Sequence, residues 1–319
     1  MSGAREAPRY TGVRTFAGLD HVALARASAT GARAAVVGVP FDTATSWRAG
    51  ARFGPEAIRA ASVLLRPWHA VHGVEVLGPG RVIDAGDVAI TPGNAQRSSE
   101  QLATALAPLC ASGTIPLVLG GDHSIALGEL RAQAAVHGPV ALVLLDAHAD
   151  TWDDYYGERL FHGTVIRRAV EERLLDPSRS LIAGIRGSLY AAEDLEQARA
   201  LGLELIAIEE LRAQAPPAFA ARVRERTGGA AVFVGVDIDV VDPSAAPGTG
   251  TPEVGGLSSS ELLDLLRALA GLRVTGFDVV EVCPPYDVPG QITALLAANV
   301  AYEMLALTAL ADGSHPGSG

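Results

Sequence analysis

The 319-residue sequence contains no lysine, so all 25 of its basic side chains are arginines. Without lysine the chain cannot form a lysine Schiff base, anchor pyridoxal phosphate or build a Walker-type phosphate loop. The abundance of alanine, glycine and arginine indicates coding bias as the origin of this absence. The missing residue therefore excludes several kinds of enzyme and leaves the fold class open.

Cysteine is scarce, with only Cys110 and Cys283 in the chain. Two distant cysteines do not suggest a disulfide framework or a zinc knuckle, which predicts a reducing, cytoplasmic environment. The N-terminal segment MSGAREAPRY lacks the apolar core of a secretory signal, and we expect no apolar run of transmembrane length. The formal net charge of −11 further disfavours nucleic acid or an anionic membrane as a partner, whereas it is compatible with a cationic substrate.

Hydrophobic residues make up 49% of the sequence, and many of them form short runs bounded by glycine, aspartate or proline. Such runs, without alternation, are typical of strands buried on both faces of a parallel sheet. The eight predicted strands are 34–39, 82–84, 114–119, 140–145, 181–185, 204–208, 232–236 and 274–280. Helical patterns lie between them, so the sequence predicts a doubly wound α/β domain. The terminal stretches MSGAREAP and DGSHPGSG are expected to be frayed.

Four of the intervening segments carry clear helical signals. We expect SSEQLATALAPLCASG to begin its helix at Ser98, and GTVIRRAVEERLLDP to end at Pro177. The segment LSSSELLDLLRALAGL carries a capping serine. The segment GQITALLAANVAYEMLALTALA is apolar on more than one side, which predicts a helix packed inside the protein.

Acids and histidines follow three predicted strands at their carboxyl ends, where ligand groups gather in parallel sheets. They are Asp122 and His123 in GGDHS, Asp146, His148 and Asp150 in DAHAD, and Asp237 and Asp239 in DIDVVD. Residues i and i+2 of an extended segment share a face, so Asp146 and His148 should point to one spot, as should Asp237 and Asp239. A single acid after a strand is often only a cap or turn residue, but three such motifs together favour a shared site.

Several carboxylates cannot share a desolvated pocket as free anions, because burial and like charges both raise their pKa values. Divalent cations would neutralise them, and a mixture of histidine and carboxylate suits Mn²⁺ or another transition metal better than Mg²⁺ or Ca²⁺. Six ligands exceed the need of one ion. The pattern therefore predicts two ions about 3.5–4 Å apart.

These motifs, taken together, resemble those of the ureohydrolases, the family of arginase, agmatinase and the guanidino-acid hydrolases. Further segments resemble the agmatinase branch: GVPFDTATSWRAGARFGPEAIR (38–59), HGT (162–164), PGTGTPEVGGL (247–257) and EVCPPYD (281–287). The resemblance implies a single domain over residues 1–319, with a core of about 34–310 and short flexible tails. Its fold would be the arginase-like three-layer sandwich around a mostly parallel eight-stranded sheet, assembled as a homo-oligomeric trimer or hexamer.

The resemblance also implies two Mn²⁺ ions per subunit. One ion would take His123, Asp146, Asp150 and Asp237, and the other would take His148, Asp146, Asp237 and Asp239. Glu281 would hold the guanidinium group of the substrate by a charge-assisted bond, and His162 would act as a proton shuttle or positioning group at the pocket mouth. The expected reaction is hydrolysis of a linear guanidino compound to urea and a primary amine, by attack of a metal-bridging hydroxide that Asp150 orients. Asp150 or His162 would protonate the leaving amine.

The substrate is less closely defined than the reaction. The loop TWDDYYGERLFHGT carries aromatic residues where an arginase would offer Asn and Ser, so we expect agmatine or a guanidino acid such as 3-guanidinopropionate or 4-guanidinobutyrate. Candidate pocket walls are Trp152, Tyr155 and Tyr156, with a rigid aromatic loop as the alternative. Trp47 would reshape an entrance, and Arg48 would pair either with a substrate carboxylate or with a structural partner.

Three other functions remain open alternatives. One is an amidinohydrolase of a biosynthetic guanidino intermediate, like proclavaminate amidinohydrolase. The second is a metal-dependent deacetylase, which usually holds one zinc ion, and the third is a non-catalytic family member. The remaining polar residues are interpreted as turn, orienting, solvated or structural groups: Asp122, Asp153, Asp154, Glu158, Asp242, Asp278, His21, His69, His72, His137 and His315. Cys283 is interpreted as a packing residue and not a nucleophile.

Overall fold

Eight parallel strands form the central sheet in the computed structural model, which describes residues 8–311. The strands of the chain are β1 (Ala34–Gly38), β2 (Trp68–His69), β3 (Val74–Glu75), β4 (Val82–Asp87), β5 (Ile115–Leu119), β6 (Ala141–Leu145), β7 (Leu181–Ile185), β8 (Glu204–Ala207), β9 (Val232–Asp237) and β10 (Val274–Val280). The sheet order is β4-β1-β5-β10-β9-β6-β7-β8, while β2 and β3 form a separate antiparallel pair. All eight predicted strands are confirmed, and every pairing in the large sheet is parallel.

Helices cover both faces of the sheet. They are α1 (Leu24–Ala27), α2 (Gly54–Ala61), α3 (Ala95–Ser112), α4 (Ala126–His137), α5 (Val165–Glu171), α6 (Glu193–Ala200), α7 (Ile208–Ala213), α8 (Pro216–Thr227), α9 (Ser259–Ala268) and α10 (Ile292–Ala311). Apolar side chains of α2 and α7 to α10 pack on one face, and those of α1 and α3 to α6 pack on the other. Alternation along β1 shows how the strands serve both layers, because Ala34 and Val36 belong to one core cluster and Ala35 and Val37 to another. The predicted three-layer α/β sandwich is confirmed.

The helix α10 is long and strongly apolar, and it corrects one expectation. By length and composition it is apolar enough to cross a membrane, with a mean hydropathy of 1.6 in its most apolar window, so an apolar run of that length does exist. However, 78% of that window is buried inside the protein. The helix therefore packs in the core, as the absence of a polar face predicted.

Two helix boundaries differ from the predicted ones. The helix α3 begins at Ala95 and not at Ser98, because the Asn94 side chain accepts a hydrogen bond from Arg97 N at 2.9 Å and caps the first turn. Ser98 lies inside the helix, where its hydroxyl donates to Thr91 O. The helix α5 ends at Glu171, well before the proline that was expected to stop it.

The helix α9 has the predicted serine cap. Ser258 Oγ accepts from Glu261 N, and the Glu261 side chain accepts from Ser258 N in return. The stretches predicted to be frayed, residues 1–8 and 312–319, lie outside the described residues except for Pro8, as does His315.

Candidate metal centre and active site

The six predicted metal ligands lie at the carboxyl ends of three strands within one run of four neighbours. His123 follows β5, Asp146 follows β6, and Asp237 is the last residue of β9. The fourth strand, β10, lies between β5 and β9, and Glu281 follows it. Four adjacent strands therefore deliver their polar ends to one place, as expected at the carboxyl edge of a parallel sheet.

The first group of ligands surrounds the Nδ1 atom of His123. This atom lies 2.6 Å from Asp150 Oδ2, 3.4 Å from Asp146 Oδ2 and 3.8 Å from Asp237 Oδ2. Ligand atoms of His123, Asp146 and Asp150 all fall within 4.8 Å of one another. The short 3₁₀ helix His123–Ile125 holds the imidazole in this position.

The second group surrounds the Nδ1 atom of His148, which lies 3.1 Å from Asp239 Oδ2 and 3.6 Å from Asp146 Oδ1. These three residues also place ligand atoms within 4.8 Å of one another. Asp146 belongs to both groups, with one oxygen directed to each histidine. The two groups are therefore joined through this carboxylate.

The ligands converge through turns and not through the alternation of an extended strand. β6 has already ended when the chain reaches Asp146 and His148, and Asp150 has a left-handed backbone with φ of 52°. Asp239 lies in the 3₁₀ helix Ile238–Val240, where its N–H donates to Asp237 Oδ1 at 3.1 Å. The expected pairs do meet, but the geometric reason predicted for them was wrong.

The residues of this centre fit a bound metal. Burial, together with the charges of Asp239 and Asp146, raises the pKa of Asp237 well above its usual range. The buried Oδ2 of Asp146 accepts no hydrogen bond from any described residue. Several buried carboxylates in contact are stabilised by added positive charge, and their mixture with imidazole matches the ligands that Mn²⁺ takes.

Asp122, which precedes His123, joins the loop after β5 to the loop after β1 and belongs to neither ligand group. Its Oδ1 accepts Ser124 N at 3.0 Å and its Oδ2 accepts Ala44 N at 2.9 Å. The neighbouring Gly121 allows the two loops to approach this closely, since a Cβ there would lie 1.6 Å from the backbone oxygen of Phe41. Its interpretation as a turn or orienting residue agrees with these bonds.

Glu281 and His162 form a second polar pair beside the ligands. Glu281 is buried with a left-handed φ of 61°, and its Oε1 accepts from His123 N at 2.9 Å and contacts His162 Nδ1 at 3.1 Å. Ser46 N donates to His162 Nε2 at 3.1 Å, which places the imidazole hydrogen on Nδ1, where it is donated to Glu281. Burial alone would lower the pKa of His162, but the neighbouring Glu281 carboxylate outweighs it, so the pKa is raised.

The other carboxylate oxygen of Glu281 has no partner. Its Oε2 is buried and accepts no hydrogen bond from the described residues. A Cβ at Gly250 would lie 3.0 Å from this oxygen, so the glycine leaves it room. An unpaired buried carboxylate oxygen is a strong acceptor for a planar cation such as guanidinium.

A cavity of about 300 Å³ opens beside the ligands. The predicted site residues that line it are His148, Asp150, Trp152, Tyr155, His162 and Asp237. Trp152 and Tyr155 stack with ring centroids 4.8 Å apart, and the Tyr155 hydroxyl lies 3.2 Å from that of Tyr190. These rings therefore form an aromatic wall of the cavity.

Four predicted substrate-binding residues do not line this cavity: Glu281, Tyr156, Trp47 and Arg48. Glu281 is buried behind His162, which does line it. Tyr156 is 77% exposed and packs on Tyr155 from outside. Trp47 is 65% exposed, and the Arg48 guanidinium lies 4.2 Å from its ring and 4.9 Å from that of Tyr286. Arg48 is thus engaged in cation–π contacts, which neither of its predicted roles included.

Arg186 and Glu253 are among the cavity residues that were not singled out from the sequence. Arg186 donates to six backbone carbonyls, which belong to Gly184 in β7, to Asp239, Val240 and Val241 at the 3₁₀ helix after β9, and to Glu253 and Val254. Glu253 places Oε1 4.0 Å from His148 Nε2. Glu253 lies within the segment PGTGTPEVGGL, which resembles the agmatinase branch. Examining each acid of that segment would therefore have identified it from the sequence.

Most of the remaining acids have structural partners. Asp153 pairs with Arg168 at 2.7 Å, so it is an ion-pair partner and not merely solvated. Asp154 accepts from Gly157 N, and Asp242 accepts from Ser244 N at 2.9 Å, as turn acids do. Glu158 is exposed, as predicted. Burial raises the pKa of the Cys283 thiol to about 12, which agrees with a packing residue.

A third cluster, His69, His72 and Glu303, also has the spacing of metal ligands. His69 Nδ1 accepts His72 N at 3.1 Å, so the ring hydrogen is on Nε2 and is donated to Glu303 Oε2 at 2.8 Å. The other Glu303 oxygen accepts from Arg267. Since a metal on Nε2 would move the hydrogen to Nδ1, against the His72 amide, these bonds favour a structural role.

Comparison with known proteins supports the reading of the main centre. Residues 32–306 match the Arginase family. A guanidinobutyrase from Pseudomonas aeruginosa is 45% identical over 95% of this chain and 94% of its own length. A mitochondrial agmatinase from Gallus gallus is 46% identical over 87% of this chain and 82% of its own length.

Solved structures give the same result. Proclavaminate amidinohydrolase from Streptomyces clavuligerus superposes with a TM-score of 0.87 at 41% identity, over 96% of this chain and 100% of the other. Formiminoglutamase from Trypanosoma cruzi, solved with Mn²⁺, superposes with a TM-score of 0.79 at 25% identity, over 89% and 95% of the two chains.

Proposed function

Because this chain belongs to the arginase family, we propose that it hydrolyses a linear guanidino compound to urea and a primary amine in a manganese-dependent reaction. The observation that carries the proposal is the pair of ligand groups joined through Asp146, next to a cavity and to the unpaired oxygen of Glu281. Two metal ions would satisfy both groups at once. A deacetylase with a single zinc ion would leave one group unused.

The proposed ligand sets are those that the resemblance implies. His123, Asp146, Asp150 and Asp237 would hold one Mn²⁺, and His148, Asp146, Asp237 and Asp239 the other. When bound, the ions supply the positive charge that the buried carboxylates require and lower the pKa of water, so that it attacks at neutral pH.

Glu281 would bind the substrate through its free Oε2. Its Oε1 is already fixed by His123 N and His162 Nδ1, so the carboxylate is oriented before substrate arrives. A guanidinium N–H donated to Oε2 would form a charge-assisted bond in a buried site. This contact would hold the guanidinium carbon beside the ligand groups.

Proton transfer falls to Asp150 and His162. Asp150 lies within the first ligand group, 2.6 Å from His123 Nδ1, and would take the proton of the attacking water as general base. Hydrolysis adds the OH of water to carbon and returns one hydrogen to the leaving nitrogen. Asp150, which would take this proton from water, would return it directly or through His162, whose Nε2 lies 2.9 Å from the Ser46 hydroxyl and would first accept the proton.

The cavity favours a substrate whose far end is cationic or uncharged. Among the described residues that line it, Arg186 is the single arginine, and each of its three side-chain nitrogens already donates to backbone carbonyls. Glu253 and Asp194 add negative charge to the lining. We therefore place agmatine before 4-guanidinobutyrate and 3-guanidinopropionate, although one relative is named a guanidinobutyrase.

A larger guanidino compound is the second candidate. The cavity volume of about 300 Å³ and the stacked wall of Trp152 and Tyr155 would accept a ring beyond the guanidinium group. A relative named proclavaminate amidinohydrolase, which superposes closely on this chain, supports that alternative.

The test is urea release by the Mn²⁺-loaded protein from agmatine, 4-guanidinobutyrate, 3-guanidinopropionate, guanidinoacetate and arginine. Asp239→Ala should abolish the activity, whereas Asp154→Ala, in the exposed loop, should retain it. Two bound metals without urea from any compound would transfer the proposal to the larger substrate. Neither urea nor bound metal would refute it.

The remaining expectations stay predictions. They are the trimer or hexamer, the cytoplasmic location, and the lack of a nucleic-acid or membrane partner. Light scattering of the purified protein would measure the first of them directly.

A further inference from the structure

Glu253 is a partly buried acid at the cavity whose carboxylate has no direct hydrogen bond among the described residues. Its side chain is 29% exposed, and a Cβ at Gly187 would lie 2.5 Å from its carboxyl carbon. The glycine, which has φ of +86°, therefore leaves the space that the carboxylate fills. The Glu253 carboxylate therefore packs against the backbone at Gly187, which restrains its position.

A histidine that is a proposed metal ligand lies next to the Glu253 carboxylate. His148 directs Nδ1 toward Asp239 and Asp146, so its other nitrogen, Nε2, points away from the ligand group. Glu253 Oε1 lies 4.0 Å from this Nε2. A ligating imidazole carries its hydrogen on the nitrogen opposite the metal and usually donates it to a carboxylate or carbonyl.

Arg186 holds the two sides of this contact together. Its Nη2 donates to Asp239 O at 2.5 Å and to Glu253 O at 2.8 Å, and its Nε donates to Val254 O at 3.2 Å. One guanidinium therefore fixes the backbone of the ligand Asp239 relative to that of Glu253. Arg186 is engaged with carbonyls and forms no direct ion pair with the Glu253 carboxylate, although its charge acts on that group from a distance.

We infer that Glu253 is a positioning residue for His148, held in place by Arg186, and that it strengthens binding of the metal ion on the His148 side. The separation of 4.0 Å would shorten to a hydrogen bond by a small side-chain rotation, as such contacts do when a site is filled. The carboxylate would then fix the ring orientation and increase the basicity of Nδ1. This inference rests on the binuclear centre proposed above.

The experiment compares Mn²⁺ binding by the wild type, Glu253→Gln and the matched control Glu158→Gln, whose glutamate is exposed on the neighbouring loop. We expect Glu253→Gln to weaken one of the two Mn²⁺ ions by about 10- to 100-fold and to leave the other unchanged. Its kcat should return toward the wild-type value when Mn²⁺ is raised to saturation. The control should match the wild type in both measurements.

Two results would overturn the inference. Unchanged affinity for both ions would show that Glu253 does not act on His148. A raised KM for agmatine with unchanged Mn²⁺ binding would assign Glu253 to the far end of the substrate instead. Failure of the wild type to bind two ions would refute the proposed binuclear centre itself. Because the wild type is measured first, this result can be distinguished from a failure of the inference about Glu253.

Discussion

At the scale of single residues, the site depends on carboxylates whose two oxygens have different partners. Asp146 directs one oxygen to each histidine, and Asp122 uses its two oxygens to join two loops. Glu281 fixes one oxygen and keeps the other free. In Glu281 the proposed substrate contact and the fixed orientation thus belong to different oxygens of one side chain.

Glu281→Gln separates these two functions. The amide oxygen can still accept from His123 N, but the amide nitrogen then faces the substrate as a donor and carries no charge. A hydrogen bond to a charged group is worth about 1.5–3 kcal/mol, so kcat/KM should fall by about 10- to 100-fold. Steady-state urea release would measure this, with the exposed Glu225→Gln as control. Equal kcat/KM in the two variants would exclude Glu281 from substrate binding.

The candidate ligands could be found in the sequence because they cluster after apolar runs that are typical of buried strands. His123, Asp146 and Asp237 carry that signal in the sequence itself. Arg186 and Glu253 do not, because their contacts join loops distant in the chain and involve backbone carbonyls that no residue pattern reveals. The cation–π position of Arg48 depends in the same way on Tyr286, far along the chain.

At the scale of elements, strands were easier to predict than helix ends. Strands of this sheet are buried on both faces, so their apolar runs stop where burial stops. Helix ends depend on single hydrogen bonds. At α3 both Asn94 and Ser98 have capping chemistry, and the three-dimensional position of Thr91 decides between them by engaging Ser98.

The position of the α3 cap gives a direct test. Asn94→Ala should lower the free energy of unfolding by about 1 kcal/mol, since it removes the acceptor for Arg97 N. Thr104→Ala, on the exposed side of the same helix, should change it by only a few tenths of a kcal/mol. Urea denaturation of both variants would measure the difference. Similar effects would mean that Asn94 does not cap the helix.

At the scale of the whole molecule, two buried acids couple stability to pH. Burial raises the pKa of Asp278, on β10, to about 7. Burial and Asp278 together raise the pKa of Glu129, on α4, well above its usual range. The carboxylate oxygens of both side chains lack a hydrogen-bond donor among the described residues, and the attraction of His123 offsets only part of the cost of burying their ionised forms. Neither acid belongs to the proposed ligand sets.

A raised pKa in the folded state means that the native protein holds a proton that the unfolded chain has already released. Stability from Asp278 is therefore complete at acidic pH and is lost as the pH rises through about 7. We expect the free energy of unfolding of the wild type to fall between about pH 4 and pH 7 more steeply than that of Asp278→Asn, by up to about 1.4 kcal/mol per pH unit, and to level off above pH 7. Parallel pH profiles of the two proteins in urea denaturation would contradict this.

The position of β10 has a consequence for how the protein is made. This strand is the last of the sheet in the sequence, yet it lies between β5 and β9, near the middle. A nascent chain that has not yet delivered Val274–Val280 would have two facing strand edges with no partner, in the centre of the sheet and not at its border. A ribosome that stalls or stops just before this strand therefore releases a chain with a split core and no Glu281. Such a product is a substrate for chaperones or proteases, not a shortened enzyme.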